Sequence, residues 1–144
     1  MKLTHVTKTV ELNKCIDLRF EVFVDEQKVP IEEERDQYDR LDANIDHFYV
    51  SDDNVYIGTI RCLRKAPDTM KVGRVAVKRE YRKSGVGRFM MTAIEQWMID
   101  QGIKNLILEA QDHAIPFYEK CGYIATGDFF MDAGIPHKSM SKKL

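Results

Sequence analysis

The stretch Val75-Ala-Val-Lys-Arg-Glu-Tyr-Arg-Lys-Ser-Gly-Val-Gly-Arg88 decides the reading of this chain: a β-branched strand runs through a basic, glycine-containing loop straight into a helix. The helix is marked by Val86, Met90, Ala93, Ile94, Trp97 and Met98 at helical spacing, with Gly102 where a C-cap glycine belongs. A strand, loop and helix in this order make an anion site, because the first backbone N–H groups of a helix lack internal partners and the helix dipole adds positive charge there. Gly85 and Gly87 leave the backbone from Lys83 to Arg88 uncovered. Lys78, Arg79, Arg82, Lys83 and Arg88 meet only Glu80 within the same segment, so a pyrophosphate with a further phosphate would satisfy them. A P-loop needs GxxxxGK[ST] and a dinucleotide fingerprint needs GxGxxG, and Arg88-Phe89-Met90 after Gly87 fits neither. The competing reading is two glycines relieving crowding at a helix start beside a solvated cationic face.

Outward from this segment, the elements alternate. Lys2 to Val6 reads as a strand, and Leu12, Ile16, Phe20 and Val24 mark an amphipathic helix over residues 10 to 25. From Asp25 to Asp42 the chain carries eight carboxylates (Asp25, Glu26, Glu32, Glu33, Glu34, Asp36, Asp39, Asp42) against Lys28, Arg35 and Arg40, and reads as a loop with one helical turn. Residues 45 to 51 and 55 to 64 flank the turn Asp52-Asp53-Asn54 as a hairpin, and Val72, Val75 and Val77 mark a strand over 71 to 78. Asn105 to Ala110 is a strand, Ala114 to Lys120 a short helix, and Tyr123 to Phe130 with Lys138 to Lys143 a last pair of strands. The fold class is α/β (α+β): a mixed, mostly antiparallel sheet of six to seven strands flanked by helices, in a single domain over residues 1 to 144.

Composition limits the function. Twenty-two basic against 23 acidic side chains, a net charge of −1, argue against a dedicated nucleic-acid binder. No apolar run approaches the ~20 residues of a membrane span, and the polar start is unlike a signal peptide, so the expected location is cytoplasmic with no membrane partner. Cys15, Cys62 and Cys121 show no CxxC spacing, which suggests reduced thiols and no metal site.

At the level of motifs the chain resembles the GNAT superfamily of acyl-CoA-dependent N-acetyltransferases. Arg82-Lys-Ser-Gly85-Val-Gly87 matches the signature R/Q-x-x-G-x-G/A, and Ala114, Tyr118, Gly122 and Tyr123 match A-x-x-x-Y-x-x-x-G-[FY]. The segments Leu18 to Gln27 and Gly134 to Met140 look like the ElaA-like branch. The resemblance implies acetyl-CoA as acetyl donor, with no metal. Val75, Ala76 and Val77 would offer backbone groups to its pantetheine arm, Arg82, Lys83, Ser84, Gly85, Val86, Gly87 and Arg88 would take the pyrophosphate, and Phe117 or Tyr118 would flank its thiol end. Gln111 stands where many members carry an asparagine that contacts the cofactor. The implied activity is acetyl transfer to a primary amine of a small molecule or peptide by direct attack in a ternary complex. A non-catalytic acyl-CoA sensor is the alternative, and pairing into a homodimer through the C-terminal strands is compatible with the family.

Two proton problems set the candidate catalytic residues, since an ammonium must lose a proton and the departing thiolate benefits from one. Tyr118 suits the acid, being protonated at neutral pH. For the base, His137, His47 and Glu109 are candidates. The resemblance implies that residues Arg19 to Asp42, together with the segment after Phe129, wall the acceptor site: carboxylates there would steer a cationic amine, while Arg19, Arg61 and Arg74 would suit an anionic acceptor. Cys121 lacks a histidine partner and reads as filler.

Overall fold

The computed structural model describes all residues from Met1 to Leu144. Seven strands form one sheet in the order β1-β2-β3-β4-β5-β7-β6. They are β1 (Lys2–His5), β2 (Ile45–Asp52), β3 (Val55–Ala66), β4 (Thr69–Val77), β5 (Asn105–Gln111), β6 (Ile124–Asp132) and β7 (Ile135–Lys143). The helices are α1 (Thr9–Arg19), α2 (Ile31–Glu34), α3 (Val86–Asp100) and α4 (Ile115–Lys120). Every neighbouring pair is antiparallel except β4 and β5, which run parallel, so the mostly antiparallel mixed sheet read from the sequence is present.

Each face of the sheet is covered differently. On one face α3 lays Met90, Met91, Ile94 and Met98 onto Phe48, Ile60, Met70, Val72, Leu106 and Leu108, forming the main core. On the other, Leu12, Cys15 and Ile16 of α1 pack near Tyr49 and Tyr56, and Leu18, Val22, Phe23 and Val29 pack on Ala76. Phe48 and Val50 face the first layer and Tyr49 the second, as strand alternation requires.

Beside the candidate site, that alternation breaks in β4. Thr59 pairs with Ala76 but Arg61 with Gly73, so β4 holds one residue more than β3 across this step. Arg74, with φ of +49°, is the residue bulged out. The bulge inverts the parity of the strand: Met70 and Val72 face α3, as do Val75 and Val77, while Ala76 faces the first helix. On its other edge β4 pairs with β5 only from Thr69↔Asn105 to Val72↔Leu108. Beyond that point the two parallel strands part.

The first helix covers the span read from the sequence but changes form part-way along it. After Arg19 it continues as a π-helical segment, Phe20–Glu26, closed by Gln27 N–H donating to Val22 O at 3.2 Å. A strict fourth-residue repeat drifts about 40° per step on an α-helix, and the wider turn changes which side chains face inward. Val22 and Phe23 are buried, whereas Phe20 and Val24 are half-exposed. At the C-terminus the last two strands are longer than read from the sequence, so Pro136 and His137 lie inside β7 and not in a loop. Strand β6 forms an edge of the sheet and exposes Ile124, Phe129 and Met131.

Met90 has no exposed surface and packs between α3 and the sheet. Met90→Ala is expected to lower unfolding free energy by about 2–5 kcal/mol, and Met90→Leu by less than about 1.5 kcal/mol, in urea titrations followed by circular dichroism.

Candidate active site

Where β4 and β5 diverge, a cleft of about 840 Å³ opens, within the range of roughly 300–1,000 Å³ usual for ligand pockets. Its walls come from Gly73 to Val77 of β4, Leu108, Glu109 and Gln111 of β5, and the start of α3. Gly73 to Val77 are paired with β3 on one side only, so their other backbone edge is free to receive an extended ligand strand-fashion.

At one end of the cleft stands the helix start. Gly85 adopts φ +82°, ψ 8°, a left-handed conformation that lets the loop turn into α3. No side chain caps α3 and no acidic residue lies in its first turn. The first helical bond is donated by Phe89 N–H to Gly85 O at 2.9 Å, leaving the amides of Val86, Gly87 and Arg88 without helical partners. A Cβ on Gly87 would come within 3.1 Å of Phe117 Cζ, so the glycine is what allows α4 to lie this close to the loop. Lys83, Arg88 and Lys120 also line the cleft and give it positive charge.

Not every residue read from the sequence as cofactor-binding stands free. Val75, Ala76, Val77, Arg82, Lys83, Gly85, Val86, Gly87, Arg88, Gln111 and Phe117 line the cleft, but Ser84 is exposed and lies off its wall. The guanidinium of Arg82 is already engaged, donating from Nε to Val77 O at 2.9 Å and from both terminal nitrogens to Glu26 at 2.7 and 3.0 Å.

Tyr118 is buried on α4 and lines the cleft, its ring 5.1 Å from that of Phe117 and 5.9 Å from that of Tyr123. Burial pushes its hydroxyl well above the ordinary tyrosine range, with a small addition from Cys121, so it stays protonated at neutral pH. His137 also lines the cleft and pairs with Gln111 across β5 and β7. Its Nδ1 is 2.7 Å from Ile135 O. A carbonyl only accepts, so Nδ1 carries the proton, and in the neutral ring Nε2 holds the free lone pair.

The other candidates fall away. His47 is buried on β2 outside the cleft with Nε2 3.1 Å from Arg40 O, and burial lowers its basicity. Glu109 lines the cleft but is paired with Lys71 Nζ at 3.1 Å. Cys121 is half-buried at the end of α4, packed against the main core, and burial raises its thiol pKa, which disfavours the reactive thiolate.

Opposite the helix start, Val22, Phe23, Val29, Glu33 and Glu34 line the cleft, so the first helix and the acidic segment do form a wall. That segment is not solvated loop charge throughout. Arg19 donates to Glu34 Oε2 at 2.8 Å and to both oxygens of Asp39 at 2.6 and 3.0 Å. Arg61 donates to both oxygens of Asp36 at 2.7 and 2.9 Å and to Asp39 at 3.1 Å. Arg74 lies 3.0 Å from Glu34 and 3.2 Å from Asp36. Three arginines thus meet three carboxylates in one neutral network. Arg19, expected from the sequence to face the acceptor, is 1% exposed, off the cleft wall and paired with Glu34 and Asp39. Arg74 does line the cleft, half-buried, with its charge matched. Burial alone would raise the Asp39 carboxyl, but the Arg19 guanidinium, with help from Asp36 N–H and Arg61, holds it down at about 2. Burial raises Glu34, offset in part by Arg19 and Arg74.

The sequence matches the acetyltransferase (GNAT) domain family over residues 10–144. The chain belongs to this family. It is 38% identical over 143 residues to the uncharacterized N-acetyltransferase YjcF of Bacillus subtilis, covering 99% of both chains. Among solved structures it is similar to an acyl-CoA N-acyltransferase from Pseudomonas aeruginosa, with 27% identity, a TM-score of 0.84 and 98% of each chain covered. Escherichia coli ElaA shares the fold with a TM-score of 0.87 at 24% identity over 98% of each chain.

The GNAT resemblance read from the two motifs therefore holds along nearly the whole chain. Two cleft residues lay in segments singled out from the sequence without a place of their own in the site: Gln27, at the end of the π-helical segment, and Glu34, inside an acidic run where pairing is invisible without the fold.

Asp39→Asn is expected to cost about 3 kcal/mol of stability at pH 7, the lower end for breaking a buried pair. The depressed carboxyl stabilises the fold above its ordinary range near pH 4, and this contribution is lost as pH falls through about 2. The gap between wild type and variant in urea unfolding should accordingly shrink by about 2 kcal/mol from pH 4 to 2.

Proposed function

We propose that this GNAT-family acyltransferase moves the acetyl group of acetyl-CoA to a primary amine of a small molecule or peptide by direct attack within a ternary complex. The observation that carries this is the divergence of β4 and β5, with an uncapped helix start at one end of the cleft and Tyr118 and His137 on its walls. The open edge of Gly73 to Val77 suits the two amides of a pantetheine arm, and the free amides of Val86, Gly87 and Arg88 suit its pyrophosphate, with Lys83 and Arg88 adding charge.

The chain's own residues then divide the proton work. An acceptor arriving as an ammonium gives a proton to His137 Nε2, whose tautomer is set by Ile135 O. The freed nitrogen lone pair forms the new N–C bond at the thioester carbonyl as the C–S bond breaks, the nitrogen then releases its second proton to solvent, and His137 gives up its own proton to solvent before the next turnover. Tyr118 donates its hydroxyl proton to the departing sulfur and recovers one from solvent. The buried, apolar setting that raises the Tyr118 pKa keeps it in the donating form.

The first test is a thermal-unfolding shift with acetyl-CoA beside free-thiol release with a panel of amines. At a hundredfold its dissociation constant a ligand adds about 2.7 kcal/mol, worth roughly 5 to 11 °C at this chain length. Gly85→Glu, which places a carboxylate at the helix start, should abolish the shift. No shift for wild type at saturating cofactor would overturn the proposal, and a shift without release for any amine would favour the sensor.

Tyr118→Phe should lower turnover by about 10²-fold or more with less than a twofold change in acetyl-CoA affinity. His137→Ala should remove the acidic limb of the pH–rate profile. An intact limb would exclude His137 as the titrating base.

A further inference from the structure

Two consecutive residues at the end of the first helix reach the two opposite walls of the cleft. Glu26 receives both terminal nitrogens of Arg82, on the loop that follows β4. Gln27 bonds to Gln111, at the end of β5, through a reciprocal pair: Gln27 Nε2 donates to Gln111 Oε1 at 3.2 Å, and Gln111 Nε2 donates to Gln27 Oε1 at 2.8 Å. The two amides close a ring across 84 residues of sequence, and both line the cleft. The π-helical turn ends at these residues, with Gln27 N–H bonded five residues back, to Val22 O.

We infer that Gln27 is a cofactor-positioning residue that sets the orientation of Gln111 and bridges the parted walls where the acyl-CoA arm lies. Each side-chain amide has two N–H donors and an oxygen with two lone pairs. The ring uses one donor and one lone pair of each, leaving one of each on either residue for a ligand amide. A glutamine at position 111 has one more rotatable bond than an asparagine, and two reciprocal bonds remove that freedom. Strand β4 offers an unpaired backbone edge on one wall, and the amide ring offers matching donors and acceptors at the other. An arm carrying secondary amides fits between them.

This inference rests on acyl-CoA being the ligand of the cleft, and the test separates the two. Acetyl-CoA dissociation constants are measured by calorimetry for wild type, Gln27→Met, Gln111→Met and the double variant, with unliganded melting temperatures for each. Methionine keeps the length of glutamine while removing its hydrogen bonds. Each single variant should weaken binding roughly tenfold, about the loss expected when the ligand amide loses two neutral hydrogen bonds to a ring that no longer holds its orientation. The double variant should be no weaker than the weaker single, because either change opens the ring. Unliganded melting temperatures should stay within about 2 °C of wild type. Wild-type affinity in Gln27→Met, effects that multiply in the double variant, or a loss of affinity matched by a loss of unliganded stability would each overturn the positioning role. Absence of acetyl-CoA binding by wild type would overturn it together with the reading of the cleft.

Discussion

The site depends on one interruption in a hydrogen-bond ladder. Parallel pairing of β4 and β5 stops at Val72 and Leu108, next to the bulge at Arg74. Had the strands stayed in register, their edges would be mutually satisfied and no ligand could reach them. The bulge also sends Ala76 under the first helix while Val75 and Val77 keep the α3 side, so both helical layers hold the strand in its diverted course. A left-handed conformation at a non-glycine residue costs roughly 1–2 kcal/mol, and the ion pairs of Arg74 with Glu34 and Asp36 fix the residue there.

The buried ion network belongs to this arrangement. Buried pairs seldom add net stability over an apolar replacement, because desolvation offsets the attraction. Their use here is directional. Arg61 on β3, Arg74 on β4 and Arg19 on α1 converge on a segment with little regular structure of its own and meet Glu34, Asp36 and Asp39 there. A loop that would otherwise wander becomes a fixed wall of the cleft.

Much of this was legible before the coordinates. The strand–loop–helix passage at Val75 to Arg88, and the spacing of Ala114, Tyr118, Gly122 and Tyr123, carried the fold and the helix-start site because both are local in sequence. Even the bulge left a trace, since Val72 to Val75 spans three residues where alternation allows two. What stayed hidden was non-local. Arg19 looked available because its partners lie 15 and 20 residues away. His47 and His137 looked alike as isolated histidines, and only the strand pairing placed one in the cleft and the other under a loop. The fourth-residue repeat of the first helix pointed at Phe20 and Val24, which the π-helical turn leaves half-exposed while it buries Val22 beside Phe23.

The bare start of α3 has a thermodynamic meaning of its own. Most helices of this length recruit a serine, threonine, aspartate or asparagine at their first boundary, a residue worth about 1 kcal/mol. This one begins at Gly85 and forgoes that stabilisation on the helix carrying the main core. An anion settling on these amides would complete the helix as a side chain ordinarily does, so the missing cap and the proposed anion site involve the same donors. Sealing the helix with a carboxylate of its own would make a sturdier protein and a poorer host, a trade in which tolerance to heat and appetite for ligand draw on the same few N–H groups.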